Sequence, residues 1–399
     1  MFSNLKQALV ITRANLFSLP RRLSISLSMV VSIMLVVCVL TGFLAMANGF
    51  ETALRSAGSS SVAVILGGGT NQESGSDVPP AVIRTLAAMT GDIGVVRTDD
   101  GSLFASREIV TTVDFTPDDE TNARTLALRG MDQMGPSIRD NITLTEGRDV
   151  TPGSREIVVG ARMAAELNLD IGRTVRLGPL EWTVVGHFSS NGSALESEIW
   201  ADLEAVQSAF DRQGQVQSLR VRLIDPTAIR LLQENLSAAV TTAIVVVPEA
   251  DLYAAQSGRT ANLIRMFGWP LALLMAIGAI AGTLNTMMNS VSDRTVEIAT
   301  IRTLGFSRFA AFVSTWLEAV VLAGAGVALG LLTSRLIFDG WQASTMGVNS
   351  ARMAFQLTVT ADVMVTAGLL GLAVGIIGGT MPALSATRLP LTEALRSNG

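Results

Sequence analysis

Few residues in this chain are equipped for chemistry. His187 is the single histidine and Cys38 the single cysteine. Nucleophilic catalysis by a Ser–His or Cys–His pair would rest on one imidazole, and neither a CxxC motif nor a Cys/His zinc site can be written. His187 lies in Trp182-Thr-Val-Val-Gly-His-Phe188, a β-branched run that reads as a strand, and Cys38 lies in an apolar stretch. The histidine reads as structural. Glu196, Glu198 and Asp202 stand close enough for paired acid–base work, but Ser193 to Asp202 reads as a surface loop entering a helix that Asp202 caps. Gly67 to Ser76 (Gly-Gly-Gly-Thr-Asn-Gln-Glu-Ser-Gly-Ser) reads as a flexible polar loop. It lacks the GxxxxGK[ST] spacing that cradles phosphate, and Lys6 is the only lysine. The reading therefore predicts no catalytic residue and no metal site. Glu318 stands out by place instead, an acid inside a long apolar run.

That run is one of four. Leu23 to Ala47, Met266 to Ser292 and Val363 to Thr387 carry no charge, and Phe309 to Ser334 is interrupted only by Glu318. A helix rises 1.5 Å per residue across a hydrocarbon core about 30 Å thick, so roughly 20 residues suffice to span it. The composition agrees: 16% of residues are charged and 49% hydrophobic, against about 25% charged in soluble domains. The first run is too long for a signal-peptide core and reads as a retained anchor, although Ala45-Met46-Ala47 has the form of a cleavage site.

Basic residues near the spans set the orientation. Residues 1–22 carry Lys6, Arg13, Arg21 and Arg22 without an acid, the link after span two carries Arg294, Arg302 and Arg308, and the tail carries Arg388 and Arg396. Both termini and that link are expected in the cytoplasm. The large segment between the first two spans then lies outside, with 17 arginines, no lysine and 28 acidic residues. Its acidity argues against nucleic acid as a partner.

The fold class read from these features is a membrane α-helical bundle of four transmembrane helices with an α+β extracytoplasmic domain inserted between helices 1 and 2. In order, the chain divides into an amphipathic N-terminal segment (1–22), span one (23–47), the inserted domain (51–262), span two (266–291), a cytoplasmic coupling helix (292–308), span three (309–334), an outer loop (335–356), span four (357–381) and a cytoplasmic tail (382–399). Strands are predicted at 61–66, 108–113, 156–159, 174–177, 182–188, 219–224 and 243–247, and helices at 80–89, 161–167, 202–210 and 226–239. Leu219 to Ile224 alternates apolar and charged residues, which predicts one wet face.

Small residues recur every four positions: Ser24, Ser28 and Ser32 in span one, Gly278 and Gly282 in span two, Gly326 and Gly330 in span three, and Gly371, Gly375 and Gly379 in span four. Such spacing lines one helix face and lets backbones approach closely. Glu318 lies about nine residues into its span, or roughly 13 Å, and should face the bundle interior or a polar contact. No relay of ionisable partners accompanies it, so a packing role is read in preference to proton coupling. In the link, Val291, Ile298, Ile301 and Leu304 have helical spacing, Arg294 and Glu297 form an i,i+3 pair, and Gly305 is a helix stop. The helix would lie on lipid or take force from a soluble partner.

These residues resemble the MacB/FtsX-type ABC transporter permeases. The matching pieces are Arg294-x-x-Glu297-Ile-Ala-x-Ile-Arg302-x-Leu-Gly305-Phe306, Glu318-Ala319, Gly378-Gly-Thr-Met-Pro382-Ala383 and Pro390-Leu-Thr-Glu-Ala-Leu-Arg396. Glu196-Ser-Glu-Ile-Trp200 and Tyr253-Ala-Ala-Gln-Ser257 look like the DevC-like branch. The resemblance implies a homodimeric permease in the bacterial inner membrane, driven by a separate ABC ATPase subunit that uses ATP and Mg; the chain itself binds no cofactor. It assigns ATPase coupling to Arg294, Glu297, Ile298, Ile301, Arg302, Leu304 and Gly305. It further implies motion of periplasmic domains, a periplasmic adaptor, an outer-membrane channel, and a lipid-like or amphipathic substrate. A heterodimer with a sister permease stays open. So do an FtsX-type regulator of cell-wall hydrolases and a lipoprotein-releasing permease of the LolC/LolE kind, although an outer domain of this size favours export.

Overall fold

A computed structural model describes residues 7, 9–13, 23–117, 121–347 and 351–388. Most of the N-terminal segment 1–22 and the Pro390–Arg396 motif lie outside the described residues. In chain order the elements are α1 (Leu23–Arg55), β1 (Val62–Gly67), α2 (Pro80–Ala88), β2 (Ala105–Phe115), β3 (Arg124–Met131), β4 (Thr143–Gly147), β5 (Glu156–Gly160), α3 (Ala161–Leu167), β6 (Thr174–Leu177), β7 (Leu180–Ser189), β8 (Glu198–Asp202), α4 (Leu203–Ala209), β9 (Ser218–Arg222), α5 (Ile229–Ala239), β10 (Ile244–Pro248), α6 (Glu249–Asp293), α7 (Thr295–Thr303), α8 (Arg308–Phe338), β11 (Gln342–Met346), β12 (Arg352–Gln356) and α9 (Ala361–Thr387). They form two compact units: a helical one (Met1–Asn48, Asn262–Trp341 and Leu357–Gly399) and a sheet one (Gly49–Ala261 and Gln342–Gln356).

In the helical unit α1, α6, α8 and α9 are long and apolar enough to cross a membrane. The helices do not end where the charge-free runs end. α1 continues to Arg55, and α9 begins at Ala361 behind the Thr360 cap and passes through Pro382 to Thr387. Apolarity marks the part that lipid can cover, whereas a helix stops only where capping or backbone chemistry stops it. The buried seam holds Ile33, Val37 and Leu40 of α1, Ala276 and Ala279 of α6, Ala319 and Ala323 of α8, and Ala367 of α9.

The sheet unit contains a ten-stranded sheet in the order β10-β1-β9-β2-β3-β8-β5-β7-β4, with β6 paired to β7. The β3–β8 and β5–β7 pairs are parallel and the rest antiparallel. Two apolar cores form on it. One gathers Ile65, Val82, Leu86, Val221, Leu232 and Leu236 from α2, α5 and the strands they cover. The other gathers Ile109, Leu128, Ile157, Trp182, Ile199 and Val206 around α3 and α4. Strands β3, β4 and β8 and the hairpin β11–β12 are additions to the sequence reading. The hairpin is tied down by Ser197, whose hydroxyl donates to the Ala354 carbonyl (3.2 Å) and accepts from its N–H (3.0 Å).

The predicted wet face of 219–224 is dry at Arg220 and opens only towards its end, where Arg222 is half-buried and Ile224 exposed. Arg220 is fully buried, as is Arg129 on β3, and both meet carboxylates. Arg220 Nη1 lies 2.7 Å from Glu73 and its Nε 2.8 Å from Glu249. Arg129 makes a bidentate pair with Glu198, at 2.8 and 2.7 Å, and also contacts Glu73 and Glu108 at 3.0 Å. Arg139 reaches Glu108 at 2.6 Å. Glu73 thus leaves the supposed flexible loop 67–76 and is buried at the centre. The supposed surface carboxylates also part company. Glu198 joins this network, and Glu196 accepts from the N–H groups of Ser190 and Gly192 at 2.8 and 2.9 Å. Asp202 does cap α4, accepting from Ala205 N–H.

Burial by itself raises the pKa of Glu73 and Glu108, but the surrounding guanidiniums override it and hold both carboxyls below the ordinary 4.5. The unfolded chain therefore binds more protons near that pH than the folded one, so the stabilisation is complete above it and is lost as pH falls. The Arg220→Met protein should be destabilised by about 3–5 kcal/mol, because it strands buried carboxylates without their partner. Thermal melts of the purified full chain followed from about pH 7 down to about pH 3 should show the wild-type melting temperature falling below pH 4.5, with a shallower fall in the variant.

Candidate functional site

The connecting helix α7 is built by its ends. Arg294 is its N-cap residue and Leu304 its C-cap. Gly305 follows with φ +95°, a left-handed conformation that a side chain would resist. The Gly305 N–H donates to the Arg302 carbonyl (3.2 Å) and the Phe306 N–H to that of Ile301 (3.4 Å), which is the double bond pattern of a Schellman stop. Ile301 and Phe306 then pack in one apolar cluster with Ile11 and Ala310. Ser307 caps the next helix, accepting from Ala310 N–H.

The seven residues assigned to coupling separate into two sets. Arg294 turns inward: its Nη1 lies 2.9 Å from Glu318 of α8, with 10% and 5% of the two side chains exposed. Its second contact, to Glu297, is 3.3 Å long and uses a carboxylate that is 62% exposed. The i,i+3 pair of the sequence reading is thus the weaker partner. Ile298 and Ile301 are half-buried, and Arg302 donates to the Thr387 carbonyl at 3.2 Å. Together with Arg294 and Glu318 they line a narrow cavity of about 30 Å³. Only Glu297, Leu304 and Gly305 of the seven are exposed, and Leu304 is 74% so. Val296, Thr300 and Thr303 complete the exposed side. The Val291–Ile298–Ile301–Leu304 pattern had placed Leu304 on the inner face; as the last residue before the stop it falls outside the helical period.

The glycines divide similarly. A Cβ on Gly326 would lie 2.8 Å from the Val30 carbonyl oxygen, and one on Gly330 2.9 Å from Val37, both on α1. On α9, Cβ atoms at Gly371, Gly375 and Gly379 would come within 2.6 Å of Val327, 2.1 Å of Ala323 and 2.4 Å of Ala319 on α8. Helix backbones can close that far only where no side chain intervenes. Gly278 and Gly282 are a correction: a Cβ at either meets nothing within 4 Å. The packed side of α6 carries Ala272, Ala276, Ala279, Thr283 and Met287, and Gly278 sits about 200° round from Ala276 at about 100° per residue. The contact of α6 is supplied instead by Gly378 of α9, 2.8 Å from Thr283 when a Cβ is added. In span one Ser28 is exposed, and Ser32 donates to the Ser28 carbonyl rather than to another helix.

His187 Nε2 lies 2.7 Å from the Leu169 carbonyl, a local tie within the sheet unit. No group of His, Cys, Asp and Glu suited to a metal occurs among the described residues.

Two family profiles match the chain: the MacB-like periplasmic core domain over residues 26–239 and the FtsX-like permease C-terminal over residues 270–391. The first alone covers more than half of the sequence. The chain belongs to the MacB/FtsX family of ABC transporter permeases. Its sheet unit corresponds to the periplasmic domain of that family and its helical unit carries the permease helices. It is 24% identical over 268 residues to the macrolide export ATP-binding/permease protein MacB 1 of Aeromonas hydrophila, a match covering 63% of this chain and 40% of that one. It is 25% identical over 289 residues to the uncharacterized ABC transporter permease YvrN of Bacillus subtilis, covering 64% and 66%. The match thus spans less than half the length of the MacB relative. Among solved structures, the periplasmic region of MacB from Actinobacillus actinomycetemcomitans aligns at 13% identity with TM-score 0.37, covering 50% of this chain and 92% of that one. The extracellular domain of YknZ aligns at 16% identity with TM-score 0.34, covering 47% and 99%.

In this permease, removing one member of the Arg294–Glu318 pair leaves a buried charge, which costs about 3–5 kcal/mol, whereas removing both does not. Glu318→Gln and Arg294→Gln should each lower the melting temperature of the detergent-solubilised protein, and the double variant should melt above either single one. Strictly additive losses would mean that the two side chains act independently.

Proposed function

We propose that this permease receives ATP-driven work from a separate ABC ATPase at the exposed side of α7, and passes it on as motion of periplasmic domains. The observation that carries this reading is the division of α7 into two sides. Arg294, Ile298, Ile301 and Arg302 tie the helix inward, while Val296, Glu297, Thr300 and Leu304 form a short solvent-facing strip of mixed polarity. A helix anchored along one side and closed at its C-terminus by a Schellman stop can transmit a push without unwinding. An exposed Leu304 on the same strip as the 62% exposed Glu297 carboxylate suits a soluble partner better than lipid, where a charged group is costly.

ATP and Mg belong to the ATPase in this proposal, and the permease binds no cofactor. The basic residues near the spans support cytoplasmic termini and a cytoplasmic α7, with the sheet unit on the periplasmic side of the inner membrane. A homodimer working with a periplasmic adaptor and an outer-membrane channel, and exporting a lipid-like or amphipathic molecule, follows the family resemblance and the size of the sheet unit.

Glu297→Arg and, independently, Leu304→Asp should reduce ATPase capture at least tenfold in a mild-detergent pull-down from native membranes quantified by mass spectrometry, with insertion unchanged. Wild-type capture by both variants would remove α7 as the docking element. In the wild-type sample an adaptor beside the ATPase supports export. The ATPase with a cell-wall hydrolase and no adaptor would replace export by regulation.

A further inference from the structure

One sizeable cavity lies wholly within the sheet unit, and nothing in the coupling mechanism uses it. Its volume is about 590 Å³, against about 30 and 40 Å³ for two others, and falls within the roughly 300–1,000 Å³ usual for small-molecule sites. Its floor is apolar: Phe188 stacks on Trp200 with ring centroids 3.7 Å apart, and Met131 and Val158 extend the surface. Met134 and Leu144 at its edge are each 38% exposed, a cost to the free protein that an apolar ligand would remove.

The charged groups of the lining are all of one sign. Asp132, Asp149 and Asp202 border the cavity, and no Arg, Lys or His does. Two of the three are engaged: Asp132 holds Arg107 in a bidentate pair at 2.9 and 2.8 Å, and Asp202 caps α4. The Asp149 carboxylate has no protein partner among the described residues and is exposed at the rim. Arg139 approaches the Trp200 ring at 5.5 Å but does not line the cavity, and its guanidinium is spent on Glu108. An apolar body with a cationic head meets both demands at once: the body covers Met134, Leu144 and the aromatic floor, and the head pairs with Asp149. A neutral lipid would leave Asp149 unpaired, and an anion would meet a carboxylate with no cation in the lining.

We infer that this cavity is a binding site for an amphiphilic organic cation, with Asp149 as its charge partner. The inference gives the proposed export reading a substrate chemistry and rests on that reading only for the fate of the bound molecule. Binding is measured on the permease alone, so its failure leaves ATPase capture untouched, and a failed capture leaves binding untouched.

The test is equilibrium dialysis of the purified full-length protein in detergent against tetraphenylphosphonium and the size-matched anion tetraphenylborate, with protein-free micelles dialysed in parallel. The expected result is saturable uptake of about one phosphonium per chain above the micelle background, with at least a tenfold preference over the borate. Asp149→Asn, at an exposed position that leaves the fold intact, should weaken phosphonium binding about tenfold. Val150→Trp, which fills the cavity from its wall, should abolish saturable uptake. Uptake no greater than that of micelles, equal uptake of the two ions, or wild-type binding by both variants would overturn the site.

Discussion

The sheet unit is organised around charges almost wholly withdrawn from water. Three guanidiniums, of Arg129, Arg139 and Arg220, face the carboxylates of Glu73, Glu108, Glu198 and Glu249 at the centre of a ten-stranded sheet. Ions of this kind are expensive to dehydrate, and their mutual attraction does little more than offset that cost. Their effect is on specificity. A strand that slipped by one residue would point Arg129 or Arg220 into the apolar core on the other face, so the pairs hold β2, β3, β8 and β9 in one register. Glu73 and Glu249 carry the same constraint to the ends of the chain flanking the sheet, locking a loop and the start of α6 to it.

The helical unit solves a related problem on a smaller scale. A lone carboxylate inside a span is costly, and Arg294, arriving from the N-cap of α7, neutralises Glu318. The ion pair thereby ties α7 to α8. It joins the short helix that faces solvent to a helix whose glycines leave almost no clearance against its neighbours. Ala319, one residue beyond Glu318, is itself the partner of Gly379. The ion pair thus sits next to one of the tightest contacts of the bundle.

Much of this was legible in the residues. Charge-free length exposes the apolar helices, β-branched runs expose most strands, and Gly305 marks the end of α7 because left-handed backbone has few other occupants. What resisted reading were features defined by a partner distant in sequence. Leu219 to Ile224 alternates just as a half-wet strand does, and nothing local distinguishes a solvated arginine from one facing Glu73. Glu73 itself sits among glycines and serines, where a solitary acid carries no signal. Gly278 and Gly282 fit the small-residue spacing, yet spacing cannot say which side of α6 meets a neighbour; Ala272, Ala276 and Ala279 do so without any motif. β11 and β12 were lost because β11 is exposed and polar, and the short β12 takes its order from Ser197 and Arg162 of the sheet unit, both of which donate to the Ala354 carbonyl.

The buried charges also constrain biogenesis. Their residues are spread from position 73 to position 249, and the last of them opens the same helix that becomes a span. In chain order Glu73, Glu108 and Glu198 precede Glu249, so Arg129, Arg139 and one side of Arg220 have their partners before it is made, and only the Arg220 Nε contact waits for the start of α6. The last contact of the buried network is therefore completed by the residue that opens α6, the helix that continues into the second span.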